Sequence, residues 1–166
     1  PQNKPSTHFF KLHSKDRVIK SLKLKKWVLG LFCGLVLQIV YGAFTAGLKG
    51  GHGFNTFPKM GDSFFPVEFF QSDSFFMLIV NHPFVVQFIH RWLGIFIWIC
   101  MGCLVGYSFK QRQTSSTIIL VILFIGLTVQ IGLGIATLLS FIALPLAVMH
   151  QFFALVVFSW FIYALR

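Results

Sequence analysis

Four long apolar stretches restrict what this 166-residue chain can fold into more than any other feature of its sequence. They cover residues 27–48, 84–107, 115–139 and 143–165. Each is long enough to cross a membrane as a helix, because about 20 helical residues span a hydrocarbon core of about 30 Å. A membrane strand would show about 10 residues of alternating polarity, and no such alternation occurs here. The sequence therefore predicts an all-α integral membrane protein, in which each helix satisfies its own backbone hydrogen bonds.

Composition and charge agree with this class. Hydrophobic residues make up 56% of the chain and charged residues only 11%, too few to cover a soluble domain of this size. Much of the net charge of +10 lies in residues 1–26, which hold seven lysines and Arg17 against Asp16. The positive-inside rule puts this basic segment on the cytoplasmic or matrix side, together with Lys110 and Arg166. We interpret the charge as membrane-flanking, and we expect no nucleic-acid partner.

The predicted membrane domain covers residues 27–166 and contains one long outer loop, residues 49–83. The links at 110–114 and 140–144 are short, which favours antiparallel neighbouring helices. Glycines and prolines exclude one regular helix across the first part of the outer loop. Its second part, residues 68–80, mixes aromatic and polar residues and predicts a short helix at the membrane interface.

An internal repeat relates the two halves of this domain. The pattern Gln-Ile-x-x-Gly-x-x-Thr begins at Gln38 in the first span and again at Gln130 in the third, 92 residues later. Each copy precedes a returning span that bears a histidine near its start. The repeat predicts a four-transmembrane-helix bundle built from two parallel-repeat helical hairpins, related by a pseudo-two-fold axis along the membrane normal.

The two histidines inside the spans, His90 and His150, are the strongest candidates for a site, because ionisable groups are costly in a bilayer. His90 follows Pro83 by seven residues and His150 follows Pro145 by five, which gives both a depth of roughly 8–10 Å. Two histidines at one level across a bundle suit the axial positions of a haem iron. Zinc would need two further ligands, and none stands at that depth. The alternative is that each histidine only makes a hydrogen bond to another helix.

Neighbouring residues fit a haem. Arg91 is a candidate contact for a haem propionate, with an interface anchor as the alternative role. Phenylalanine is abundant and would line a planar ring. Four glycines in the spans would give that ring room: Gly42, Gly94, Gly132 and Gly134.

We assign no functional site to the remaining histidines or to the cysteines. Ordinary polar roles are expected of the four histidines outside the spans: His8, His13, His52 and His82. The three cysteines all lie within spans: Cys33, Cys100 and Cys103. Although two of them form a C-x-x-C pattern, a helix in lipid favours small-residue packing over metal or redox chemistry.

Several stretches in combination resemble a known family. They are residues 38–60, 87–91, 130–139 and 150–151, and no single one would be specific. On these stretches the chain resembles the haem A synthase family, specifically its carboxy-terminal half, over residues 27–166.

The resemblance implies an eight-span enzyme of two four-helix halves, each with a histidine pair. The amino-terminal half would handle the substrate haem O and carries a Glu-x-x-His-Arg motif whose Glu is implicated in catalysis. Gln87 stands at that position here, and an amide cannot act as a carboxylate base. The resemblance thus implies a haem b cofactor half with His90 and His150 as axial iron ligands and no catalytic residue in this segment. Phe57 departs mildly from the tryptophan expected in many members.

The predicted function is therefore to hold haem b within a haem A synthase, which oxidises a methyl group of haem O to a formyl group and makes haem A for terminal oxidases. Its expected partners are membrane lipid, a missing amino-terminal half or a second subunit, and an unidentified electron donor. The expected location is the bacterial cytoplasmic membrane or the mitochondrial inner membrane. Because the chain begins at Pro1 and stops at Arg166 directly after a span, we expect it to be part of a longer protein or a trimmed form.

The sequence leaves three alternatives open. A stand-alone bis-histidine membrane cytochrome would fit one haem, although electron transfer across the bilayer usually needs a second haem near the inner face. A half-size haem A synthase could dimerise, but Gln87 argues against it because both pockets would lack the carboxylate. A small transporter or assembly factor would use His90 and His150 only to bond across helices.

Overall fold

The computed structural model describes residues 22–66, 74–112 and 114–166, with nothing described of the Thr114 side chain. Residues 1–21 of the predicted basic segment, with His8 and His13, lie outside the described residues. So do residues 67–73, which include the first part of the predicted interfacial helix.

The described residues form five α-helices and one 3-10 turn, Gly50–His52. The helices are α1 (Leu22–Gly47), α2 (Phe75–Asn81), α3 (Pro83–Lys110), α4 (Thr114–Leu139) and α5 (Leu144–Leu165). All except α2 are long and apolar enough to cross a membrane. The predicted all-α membrane bundle of four spanning helices is confirmed, and the chain is a multi-pass helical membrane protein.

Local sequence explains where the second and third helices begin. The Ser74 hydroxyl caps α2 by accepting a hydrogen bond from the Met77 backbone N–H at 3.5 Å. His82 has an extended backbone and separates α2 from α3, which Pro83 opens. Proline suits this first helical position, since its missing N–H would have no partner there. The short α2 thus leads directly into the span that carries His90.

The reversal between α4 and α5 takes only four residues. Phe141 and Ile142 both have positive φ, 56° and 60°, which turns the chain sharply. The Ser140 hydroxyl donates to the Thr137 carbonyl at 3.0 Å, and the Ile142 N–H donates to the same carbonyl at 2.9 Å. Pro145 then lies in the first turn of α5. This tight link starts the fourth span close above His150.

The four spanning helices form a closed ring. Helix α1 packs against α3 and α5, and α4 packs against the same two helices. Helices α1 and α4 are therefore diagonal, as are α3 and α5. At one end of the bundle Lys25 Nζ donates to the Arg166 carbonyl at 3.2 Å, and Lys23 lies 5.5 Å from the centre of the Tyr107 ring. We call this end the basic end and the opposite end the loop end.

The internal repeat is visible in the three-dimensional structure. Helices α1 and α4 both contain 26 residues, and 92 residues separate their first residues and also their last. Thr45 and Thr137 each donate a hydroxyl hydrogen bond to the carbonyl four residues earlier, at 2.8 Å in both cases. The sequence repeat therefore corresponds to a repeat in structure.

The packed core fills only the half of the bundle toward the basic end. Its buried residues include Leu35 on α1, Ile97 on α3, Leu127 on α4 and Val157 on α5, and none lies closer to the loop end on these helices. A separate set of buried residues lies at the loop end: Met60, Leu78, Val85, Val86 and Leu138. Between these two levels no residue of the four spanning helices is buried, and the half-buried His90 and His150 lie there.

Candidate functional site

The structure brings His90 and His150 together. They lie on α3 and α5, the diagonal pair of helices, and each comes early in a helix that starts at the loop end. Both side chains are half-buried, and both lie at the level between the two buried layers. The two histidines therefore lie at one level of the bundle, on helices that are diagonal to each other.

Gln38 on α1 makes two contacts with His90. The Gln38 amide Nε2 donates to the backbone carbonyl of His90 at 2.9 Å. His90 Nδ1 lies 3.2 Å from the backbone carbonyl oxygen of Gln38. Because a carbonyl only accepts, Nδ1 carries the hydrogen, and Nε2 keeps its lone pair for a ligand.

Gln130 on α4 repeats this arrangement around His150, with one difference. Its Nε2 donates to the backbone carbonyl of His150 at 3.0 Å. The same Nε2 lies 3.2 Å from His150 Nδ1, where His90 Nδ1 has a backbone carbonyl instead. The two histidines thus share a pattern of contacts but not an identical one.

Two glycines lie directly against the histidine rings. A Cβ at Gly42 would lie 3.1 Å from His90 Cε1, and one at Gly134 would lie 3.0 Å from His150 Cε1. Gly94 lies against the Gln38 amide, with 2.9 Å from its hypothetical Cβ to Nε2. Gly132 meets nothing within 4 Å. Three of the four glycines singled out in the sequence therefore contact the site residues.

The donor set of this region fits a haem better than a bare metal ion. In the described part of the chain, no three histidine, cysteine or acidic residues come together to hold a metal ion. Two imidazoles on opposite sides are the donors that a haem iron takes at its axial positions. The Oε1 atoms of Gln38 and Gln130 are buried without a protein partner, so the region is polar and not simply filled.

Arg91 contacts the outer loop. Its Nη1 donates to the carbonyls of Thr56 at 2.9 Å, Lys59 at 3.1 Å and Pro58 at 3.5 Å, and its Nη2 donates to that of Phe54 at 3.5 Å. The guanidinium carbon also lies 5.9 Å from the centre of the Phe57 ring. Arg91 therefore fixes the loop to α3, beside a histidine of the site. Contact with a propionate stays a prediction.

Gln87, one turn before His90, also faces the outer loop. Only 3% of it is exposed, and its Nε2 donates to the Phe54 carbonyl at 3.1 Å. Its Oε1 is buried without a partner. The loop is tied to α4 as well, because Asn55 Nδ2 donates to the carbonyl of Leu138 at 3.2 Å.

The other candidates lie apart from this pair. His52 is exposed, and His82 packs its ring 5.6 Å from that of Phe84. The three cysteines are free thiols, and two of them are exposed on the surface of the bundle: Cys33 and Cys103.

Sequence reasoning found the histidines but assigned no site role to Gln38, Gln130 or Asn55. The signal for the two glutamines was present, since an amide in the middle of an apolar span needs a partner. Asn55 lies in an irregular loop, where no periodicity indicates which helix it contacts.

A closed ring of four apolar helices, with a histidine pair on two diagonal helices, defines a multi-pass membrane protein with a paired-imidazole site. Comparison with known families then gives a more specific assignment. The family described as "Cytochrome oxidase assembly protein" matches residues 4–162, and the chain belongs to that family.

Curated relatives carry consistent names. The chain is 37% identical over 135 residues to "Heme A synthase" of Rickettsia felis, an alignment that covers 78% of this chain and 40% of the relative. It is 34% identical over 140 residues to "Heme A synthase COX15" of Homo sapiens, covering 84% of this chain and 34% of the relative. The chain thus spans about two fifths or less of these relatives. No solved structure gives a significant match.

Proposed function

We propose that this chain is the haem b-binding half of a haem A synthase. The observation that carries the proposal is the matched pair of His90 and His150, on diagonal helices, each with a glycine against its ring. The names of the relatives support the reaction class. The half-buried level between two buried layers supports a ligand with a broad apolar surface.

The proposed ligation limits what the haem does. His90 and His150 would together hold the haem iron, and a haem held by two imidazoles would supply electron transfer or structural support and not oxygen activation. The haem supplies redox chemistry when bound. The protein supplies Nε2 of His90, whose tautomer is set by the Gln38 carbonyl, and the opposing ring of His150.

Oxidation of the substrate would belong to another part of the complete protein. Gln87 provides an amide where the resemblance expects a carboxylate in a reaction half. Among the described residues Asp62 is the only acid, and it is exposed in the outer loop. We propose that haem O is oxidised from methyl to formyl in the amino-terminal half or in a second subunit, with electrons from a separate donor.

The orientation follows from charge. The basic end carries Lys23, Lys25, Lys110 and Arg166, so it would face the cytoplasm or the mitochondrial matrix. The histidines lie toward the loop end and would then hold the haem near the opposite face of the membrane. Lipid would contact the apolar outer surfaces of the four spans.

The second candidate is a stand-alone bis-histidine membrane cytochrome. Electron transfer across the whole bilayer would need a second cofactor toward the basic end. That half is filled by the packed apolar core, and the four described histidines all lie toward the loop end. The packing therefore favours a one-haem module of a larger enzyme.

The absorption spectrum of the purified protein tests the proposal. We expect a low-spin bis-histidine haem spectrum that is lost in both His90→Ala and His150→Ala. His52→Ala changes an exposed loop histidine and should leave the spectrum intact. A wild-type protein without haem despite adequate supply, or a spectrum unchanged in both site variants, would overturn the proposed site.

A second assay tests the assignment to a cofactor half. The 166-residue chain is incubated with haem O, a reductant and oxygen, and the pigments are separated by chromatography. We expect no haem A. Turnover by this chain alone would show that the reaction half had been misassigned.

A further inference from the structure

We infer that Gln38 and Gln130 are positioning residues for the two axial histidines and that they tune the haem iron through them. The inference rests on the proposed haem site. It assigns the two glutamines a task that neither the family comparison nor the histidine spacing provides.

The position of both glutamines within apolar helices indicates that each has a specific role. Each lies in the middle of a spanning helix, where an amide without partners is costly. The amide nitrogen of each glutamine donates to the backbone carbonyl oxygen of a histidine, at 2.9 Å for Gln38 and 3.0 Å for Gln130. Two independent helix pairs therefore repeat one contact.

The contact fixes the histidine backbone relative to the neighbouring helix. The carbonyl belongs to the ligand residue itself, so the bond limits rotation and sliding of α3 against α1, and of α5 against α4. Gly94 permits the approach at His90, because a Cβ there would lie only 2.9 Å from Gln38 Nε2. Each amide thus fixes the backbone position of a histidine whose imidazole is a proposed iron ligand.

The contact between α1 and α3 also determines the hydrogen bond that the His90 ring makes. The Gln38 backbone carbonyl accepts from His90 Nδ1–H at 3.2 Å, and a hydrogen bond of this kind makes an imidazole a more basic ligand and fixes its orientation. If the amide no longer holds α1 to α3, this carbonyl and the ring separate. At His150 the group 3.2 Å from Nδ1 is the Gln130 amide nitrogen, which only donates, so Gln130 cannot strengthen that ring as a ligand and acts through the backbone contact.

The direction of the effect follows from ligand basicity. A more basic imidazole stabilises ferric iron more than ferrous iron, so weakening the Nδ1 contact should raise the midpoint potential. We expect Gln38→Met to lower the preference for ferric haem about three- to tenfold, a rise of about 30–59 mV for one electron, whereas Gln130→Met should change the orientation of the His150 ring. Methionine keeps the length of the side chain and removes the donor.

Redox titration of the haem-loaded protein tests this, with electron paramagnetic resonance to report ring orientation. We expect both glutamine variants to retain haem and to broaden the ferric signal, and Gln38→Met also to shift in potential. Gln111→Met makes the same chemical change at an exposed position near the basic end and should match wild type.

A second variant avoids dependence on how a glutamine variant folds. Gly94→Ala leaves Gln38 in place but puts a methyl group against its amide, and it should reproduce the shift of Gln38→Met. Gly106→Ala is its control, on the same helix with nothing within 4 Å.

The outcomes separate the two proposals. Wild-type potentials and signals in Gln38→Met, Gln130→Met and Gly94→Ala, with haem still bound through His90 and His150, would overturn the positioning role alone. Loss of the histidine-dependent spectrum in wild type would overturn the haem site and this inference with it.

Discussion

Gly42 lies directly against the imidazole of His90, and a methyl group at Gly42 would lie 3.1 Å from the Cε1 atom of the ring. Gly134 has the same relationship to His150, at 3.0 Å. These distances are shorter than ordinary van der Waals contact, so a side chain at either position forces the ring to move. Both copies of the repeat therefore have glycine, which has no side chain, where the helix faces a proposed iron ligand.

Gly42→Ala and Gly134→Ala should weaken haem binding. Overpacking typically costs about 1–3 kcal/mol, which corresponds to roughly 5- to 150-fold in affinity. The haem-to-protein ratio after purification, followed by haem titration, measures the loss. Gly132→Ala is the matched control, since nothing lies within 4 Å of that position. Equal haem content in all three variants would contradict the close-contact argument.

Gly50→Ala should destabilise the loop end of the bundle. Its new Cβ would lie 2.5 Å from the Pro83 carbonyl oxygen, a backbone atom at the start of α3 that cannot turn aside. We expect a cost of about 1–3 kcal/mol and a lower thermal unfolding midpoint in detergent. Gly47→Ala has open space and lies in a helix, where alanine is favoured, so its midpoint should not fall. A Gly50→Ala protein as stable as wild type would argue against this loop contact.

Arg91→Gln should release the outer loop. The substitution removes a charged donor shared among four loop carbonyls, and hydrogen bonds to charged groups contribute about 1.5–3 kcal/mol when well formed. Tryptic cleavage after the exposed Lys59 should therefore accelerate at least about tenfold, because cleavage tracks the open population. Lys110→Gln, at the other end of the same helix, should leave that rate unchanged. If Arg91→Gln also left it unchanged, the loop would not depend on the guanidinium.

Gln87→Glu should be more harmful than Gln87→Met. The carboxylate would place negative charge beside the Phe54 carbonyl in a position that is only 3% exposed, whereas methionine only removes one donor. Leaving a buried polar group unsatisfied costs about 1–3 kcal/mol, and more when it is charged. Thermal unfolding ranks the two variants. A Gln87→Glu protein that matched wild type would show that this position accepts a carboxylate without rearrangement.

The sequence predicted the spanning helices well, because their existence depends on local properties. Apolar length determines that a segment crosses the membrane, and proline marks where it starts, as Pro83 does in α3. The depth of His90 and His150 follows from counting residues along a helix of fixed rise. The repeat beginning at Gln38 and Gln130 indicated that two hairpins share one orientation.

The contacts of the site could not be predicted in the same way. Spanning helices are apolar on nearly every side, so no polar face indicates which residues point inward. The sequence therefore did not predict that Gln38 donates to the His90 carbonyl or that Gly42 lies against the His90 ring. Arg91 illustrates the same limit. The sequence did not indicate that its guanidinium contacts loop carbonyls that lie more than 30 residues away.

The sequence by itself determined that this protein is a membrane bundle with two histidines at one level, because length, hydropathy and helical rise act within a single segment. Only the tertiary structure decided that α3 and α5 are diagonal and that each histidine is held by a glutamine of the preceding spanning helix. Those relationships depend on how each helix is rotated about its own axis. That rotation is set by side chains of several helices packing together, and no one segment contains it.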